Sequence, residues 1–185
     1  DDGDARAQLT ADENAGISTI LTGMGSLSYG ETAGERMRLG VMLNDPEEEH
    51  SCFADNTHND HFYNAVGIRN VYLGSYTRVD GSIVSGESLA SLVAAADAGV
   101  DAEMRAKLDT AVLEMLEMKI AAESGFAYDS MLERGNAAGE ALIMGGVNAL
   151  VDQTRSIERA VAVLGVNAIE IEGSDSLDDP EAVFQ

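Results

Sequence analysis

An all-α fold, an antiparallel helical bundle, is what this 185-residue sequence predicts, and three observations carry it. Apolar residues recur at alternating spacings of three and four through long stretches, which places them on one helix face. There are only two prolines, Pro46 and Pro180, so long helices run uninterrupted. Alanine, leucine, methionine and glutamate, all good helix formers, dominate the later segments. At 45% hydrophobic residues the chain can bury a proper core, and its length fits one domain or one half of a larger protein.

Residues 1–11 are polar and expected to fray, residues 12–168 to form the bundle, and residues 169–185 to be an acidic tail. The first helical pattern runs from Asp12 to Leu43, with Ile17, Ile20, Met24, Leu27, Glu31, Gly34 and Val41 on one face. Five glycines lie between positions 23 and 40 of that pattern, each costing about 1 kcal/mol against alanine. Gly30 and Gly34 are read as places where another helix comes close. Asn44-Asp45-Pro46 ends the helix, because proline disfavours helical geometry in the residue before it. Residues 46–56 are read as a short helix.

Asp55, Asn56 and Thr57 are all good N-caps, so a helix starts there and runs to Tyr76 with Phe62, Val66, Arg69, Leu73 and Tyr76 on its inner face. Residues 77–86 are a connection turning at Asp80-Gly81. A short helix follows over 87–98, with Ser85 as its cap. The long helix from Val100-Asp101 to Ser124 carries Met104, Leu108, Ala111, Met115, Met118 and Ala122, a stripe read as core filling. A connection with one helical turn covers 125–135. The last long helix, 136–166, has the sharpest stripe: Ile143, Val147, Leu150, Thr154, Ile157, Val161 and Leu164. Long stripes of this kind are what a helical bundle needs. The acidic tail beyond them is expected to be mobile.

The net charge of −22 argues against binding nucleic acid or anionic lipid and is compatible with cations or cationic partners. A solvated acidic surface is the favoured explanation of the excess. The single cysteine cannot form an internal disulfide and so does not report the redox compartment. No apolar run approaches the ~20 residues of a membrane span. The start, DDGDARAQL, has no export signal and resembles a point inside a longer chain.

The unusual chemistry is concentrated between Asn44 and His61. All three histidines, His50, His58 and His61, lie there with Cys52, behind the carboxylates Glu47, Glu48 and Glu49. Imidazole and carboxylate together suit a borderline divalent metal such as Fe or Zn. The donors available are His50, Asp55, His58 and His61, with Glu49 nearby and Glu31 or Glu35 from the preceding helix. Glu31 falls on the apolar stripe, and a buried carboxylate needs a cation. Arg36, Arg38 or Arg69 would supply one structurally; a metal would supply one functionally. Capping or surface histidines are the alternative to ligands. Cys52 beside Phe53 reads as a small buried hydrophobe. No nucleophile-elbow, phosphate-loop, dinucleotide or HExxH pattern occurs.

The stretches LTGMGSLSYGETAGERM, EEHSCFADNTH and GIRNVYLG, which fall within residues 20–74, resemble the second half of the imelysin family. That family includes insulin-cleaving-type peptidases and iron-regulated bacterial envelope proteins. The resemblance implies two similar helical bundles, a periplasmic or outer-membrane-associated location, and a link to iron or other metal acquisition. The family's GxHxxE signature is absent here, so the chain looks like the C-terminal bundle alone. The N-terminal bundle is then its expected partner, with any envelope partner or lipid anchor outside this chain. The residues matching the family's motifs include Glu31, Glu35, Arg36, Glu49, His50, Asp55, Asn56, Thr57 and His58. Of these, Glu31, Glu35, Glu49, His50, Asp55 and His58 are the expected ligands, at a site between the bundles. Arg36, Arg69, Asn56 and Thr57 are the expected structural partners. A non-enzymatic metal-linked protein is the leading reading, with a metallopeptidase or a structural partner-binding module as alternatives.

Overall fold

A computed structural model describes residues 3–184, so residues 1 and 2 of the expected frayed segment and Gln185 of the tail lie outside it. The architecture is an all-α bundle with one small hairpin. A peripheral helix α1 (Asp4–Ala11) leads into α2 (Glu13–Ser26), a π-helical segment (Leu27–Arg38) and α3 (Leu39–Leu43). After a loop come α4 (Thr57–Leu73), a hairpin of β1 (Ser75–Thr77) and β2 (Ile83–Ser85), and α5 (Leu89–Ala96). The long α6 (Ala98–Glu123), short α7 (Tyr128–Leu132), long α8 (Ala137–Leu164) and short α9 (Asp175–Asp178) follow.

Local chemistry sets most of the boundaries. Asp12 caps α2 by accepting from Ala15 N at 2.8 Å, and Asp97 caps α6 by accepting from Gly99 N at 2.8 Å. Ser88, not Ser85, caps α5, accepting from Ser91 N at 3.0 Å. Gly165 ends α8 with φ +62°, a left-handed turn that glycine adopts without strain. Tyr76 lies in the hairpin and not in α4; the strands flank the turn at Asp80-Gly81 and pair Tyr76 with Val84.

The two stripes read from α6 and α8 are the core. Met104, Leu108, Ala111, Met115 and Met118 face Ile143, Val147, Leu150 and Ile157, all fully buried; Val161 is partly buried. In α4 the buried face is His58, His61, Ala65, Ile68 and Tyr72, one register away from the expected Phe62, Val66, Arg69 and Leu73. Three polar side chains, His58, His61 and Tyr72, hide that face in the sequence. Tyr72 is tolerated there because its hydroxyl donates to Asp101 at 2.9 Å, which in turn accepts from Arg105 at 2.8 Å.

The glycine-rich stretch departs from α geometry. From Leu27 to Arg38 the chain follows i→i+5 bonding, so its inward residues are Ser28, Thr32, Ala33 and Met37 in place of an α-helical Leu27–Glu31–Gly34 stripe. Ser28 reaches α8, donating to the Leu150 carbonyl at 3.1 Å and accepting from Gln153 Nε2 at 2.9 Å. What comes close at Gly30 and Gly34 is the tail, not another helix. The tail backbone passes so near Gly30 that a Cβ there would sit 2.5 Å from the Glu172 carbonyl oxygen. Segment 4–11 is helical and fully exposed, whereas the tail expected to be mobile is seated on the bundle.

Candidate functional site

The chemically unusual stretch closes one end of the bundle. Asn44 ends α3 in a left-handed conformation (φ +51°). The loop then returns over the start of α4, where Ser51 N donates to the Thr57 hydroxyl at 2.9 Å and the Ser51 hydroxyl bonds Asp60. One 3-10 turn, Cys52–Ala54, stands outward and ends at Asp55 with φ +46°. Cys52 and Phe53 are therefore exposed, contrary to the buried reading; the turn keeps its own backbone bonds and a side-chain bond between Cys52 and Glu49. No helix forms over the rest of 46–56.

Behind this loop lies a buried polar cluster. His61 is fully buried, and neither ring nitrogen has a hydrogen-bond partner. Its ring stands edge-on to Tyr128, with centroids 5.2 Å apart, and to His50 at 6.4 Å. The Tyr128 hydroxyl, also fully buried, has no partner; neither do Glu49 Oε2 and His58 Nδ1. Burial drives the His61 pKa from 6.5 to about 3, with His50, Arg36 and His58 adding to the effect, so its imidazole is neutral. Burial likewise raises Glu49, reinforced by Asp129 and Asp55 and opposed by its bond to Thr57. Tyr128 is pushed far up by burial and by Glu49. Each unpaired buried polar group costs about 1–3 kcal/mol, and several in one place call for a partner, whether water or a ligand.

Beside the cluster, and sharing only His50 with it, lies a shallow polar depression of about 570 Å³. His50, Asn59, Asp60, Tyr63, Lys119 and Glu123 line it. Lys119 donates to Asn59 Oδ1 at 2.7 Å and pairs with Glu123.

The expected residues separate into three groups. His58 and Glu49 enter the cluster, and His50 stands at its rim. Asp55 is exposed on the loop. Glu31 is half-exposed and paired with Arg36 at 3.4 Å, while Glu35 is exposed and accepts from the Ser174 hydroxyl at 2.6 Å. Arg69 pairs instead with Asp109 at 2.7 Å. Asn56 precedes α4 without capping it through its side chain, and accepts from Asn59 Nδ2 at 2.9 Å; Thr57 anchors the returning loop. Tyr128 and Lys119 were not foreseen. Both come from α6 and α7, outside the histidine run, and a lone tyrosine in a connection gives no periodic signal.

The donor types suit Fe or Zn, since a neutral imidazole offers a lone pair. Among the described residues, however, no three His, Cys, Asp or Glu side chains are arranged to hold a metal ion. No helix among the described residues is long and apolar enough to cross a membrane. No curated protein matches the sequence. The model of the imelysin family matches residues 1–157, most of the chain. The chain belongs to the imelysin family.

Proposed function

We propose that this chain is a non-enzymatic, metal-linked imelysin of the bacterial envelope, supplying the buried floor of a site that a second bundle closes. The observation that carries the reading is His61: wholly buried, neutral, and unpartnered at both nitrogens beside an unpartnered tyrosine hydroxyl. Iron, zinc or a small ligand carrying one of them would be met by His61, His50 and Glu49, with the remaining donors supplied by the closing bundle. The periplasmic face of the envelope is the proposed location, because the family resemblance points there. Dedicated base and water-positioning groups, which a metallopeptidase needs, have no clear bearers in the cluster, so binding is favoured over hydrolysis.

The test is thermal unfolding of the complete protein with chelator, then with Fe²⁺, Fe³⁺, Zn²⁺ or Mn²⁺ restored singly. One ion at micromolar concentration should raise the melting temperature, and His50→Ala/His58→Ala should weaken that rise while keeping helical content. No shift with any ion, or metal-dependent peptide hydrolysis, would overturn the reading.

A further inference from the structure

The tail provides a device separate from the histidine site. Residues Ile171–Asp178 lie along the end of α2 and the π-helical segment and touch them at successive points. Ile171 fills the space over Gly25, Glu172 passes Gly30, and Ser174 sits on Gly34. Glu172 N donates to the Ser26 hydroxyl at 3.0 Å, Ser174 Oγ to Glu35 at 2.6 Å, and Tyr29 OH to Asp178 at 2.6 Å. The Ser176 hydroxyl donates at 3.0 Å to the Gly34 carbonyl, which also accepts from Leu39 N in the i→i+5 ladder. A π-helix twelve residues long is rare, and here one face is clamped by another part of the chain.

We infer that Ile171–Asp178 is a releasable strap that holds the Leu27–Arg38 segment in its π-helical form and keeps Glu35 occupied. Three features make it releasable, although Ser174 and Ser176 are buried and Leu177 packs against the edge of the core. Its bonds to Tyr29 and Ser26 are solvent-exposed, so they can be exchanged for water. Its seat is made by missing side chains: at Gly30 and Gly34 any Cβ would strike the strap first. Its two apolar residues, Ile171 and Leu177, are only partly buried, so little core is lost when it leaves. The clamped segment carries Arg36, one of the charges acting on His61, so strap and histidine cluster are linked through one element. The strap does not depend on what that cluster binds.

Hydrogen exchange of the full chain tests it, comparing wild type with Gly34→Ala, Ser174→Ala/Ser176→Ala and a chain ending at residue 169. Alanine in place of glycine ordinarily stabilises a helix; here Gly34→Ala should unseat the strap. Amides of 27–38 should lose at least tenfold protection in Gly34→Ala and in the shortened chain, and those of 171–178 should lose it in Gly34→Ala, while those of 143–157 keep theirs. The serine pair should show the same local pattern to a lesser degree, which serves if the shortened chain does not fold. Unchanged exchange over 27–38 without the strap would overturn the inference. So would a uniform loss across the whole chain in the serine variant, since the tail would then be ordinary core.

Discussion

Replacing His61 by leucine should make the apoprotein more stable. The imidazole is fully buried with two unpaired nitrogens, and a leucine of comparable size removes both while keeping apolar contact with the Tyr128 ring. An unmet buried polar group costs about 1–3 kcal/mol, which sets the expected gain at pH 7. The pH dependence is more diagnostic. The folded-state pKa is near 3 and the unfolded value near 6.5, so between these the unfolded chain holds a proton that the native chain lacks. Stability from this group is therefore present above pH 6.5 and is lost as the pH falls toward 3, by up to about 1.4 kcal/mol per unit. The leucine variant lacks that loss. Urea unfolding with chelator at pH 6.5, 5.5 and 4.5 should show the variant's advantage growing by about 2–3 kcal/mol across the range. Taking the difference between two proteins removes the contribution of the many carboxylates. A pH-independent difference, or a variant less stable than wild type at pH 7, would refute the claim of a buried, unpaired, neutral histidine.

Other substitutions probe the frame around the site. Leu150→Ala, in the middle of α8 and fully buried, should cost about 2–5 kcal/mol in urea unfolding; a loss within error would mean that the α6–α8 seam is misplaced. Tyr72→Phe removes the donor to the buried Asp101 and should cost about 1–3 kcal/mol, with Arg105 limiting the damage. Glu31→Gln should cost less than about 1 kcal/mol, because the carboxylate is half-exposed and its partner is a surface arginine; a larger loss would restore the inward-facing role that its sequence position suggests.

Where the sequence was legible, one physical rule sufficed. The α6 and α8 stripes obey α-helical spacing, and their positions from Met104 to Met118 and from Ile143 to Ile157 are all buried. The same rule failed at Leu27–Arg38 because the bonding there is i→i+5. That spacing brings Ser28, Thr32, Ala33 and Met37 inward and swings Glu31 to the rim. In α4 the rule was misled by chemistry: the buried face contains two histidines and a tyrosine, while Phe62 and Val66 are only partly covered. His61 was thus recognisable as a donor but not as the most buried one. Tail docking depends on glycine gaps 140 or more positions away in the chain, and no local pattern reports such a contact. Tyr128 reached the site by tertiary packing alone.

Calorimetric titration of the intact protein with the ion that best stabilises it, for wild type and His61→Leu in parallel, tests the central claim most directly. The variant should keep native helical content and be at least as stable as the wild-type apoprotein, but lose binding by at least tenfold, because the imidazole at the floor of the cluster is gone. Equal affinity in the two proteins would contradict the account and leave His61 a polar residue buried for packing alone.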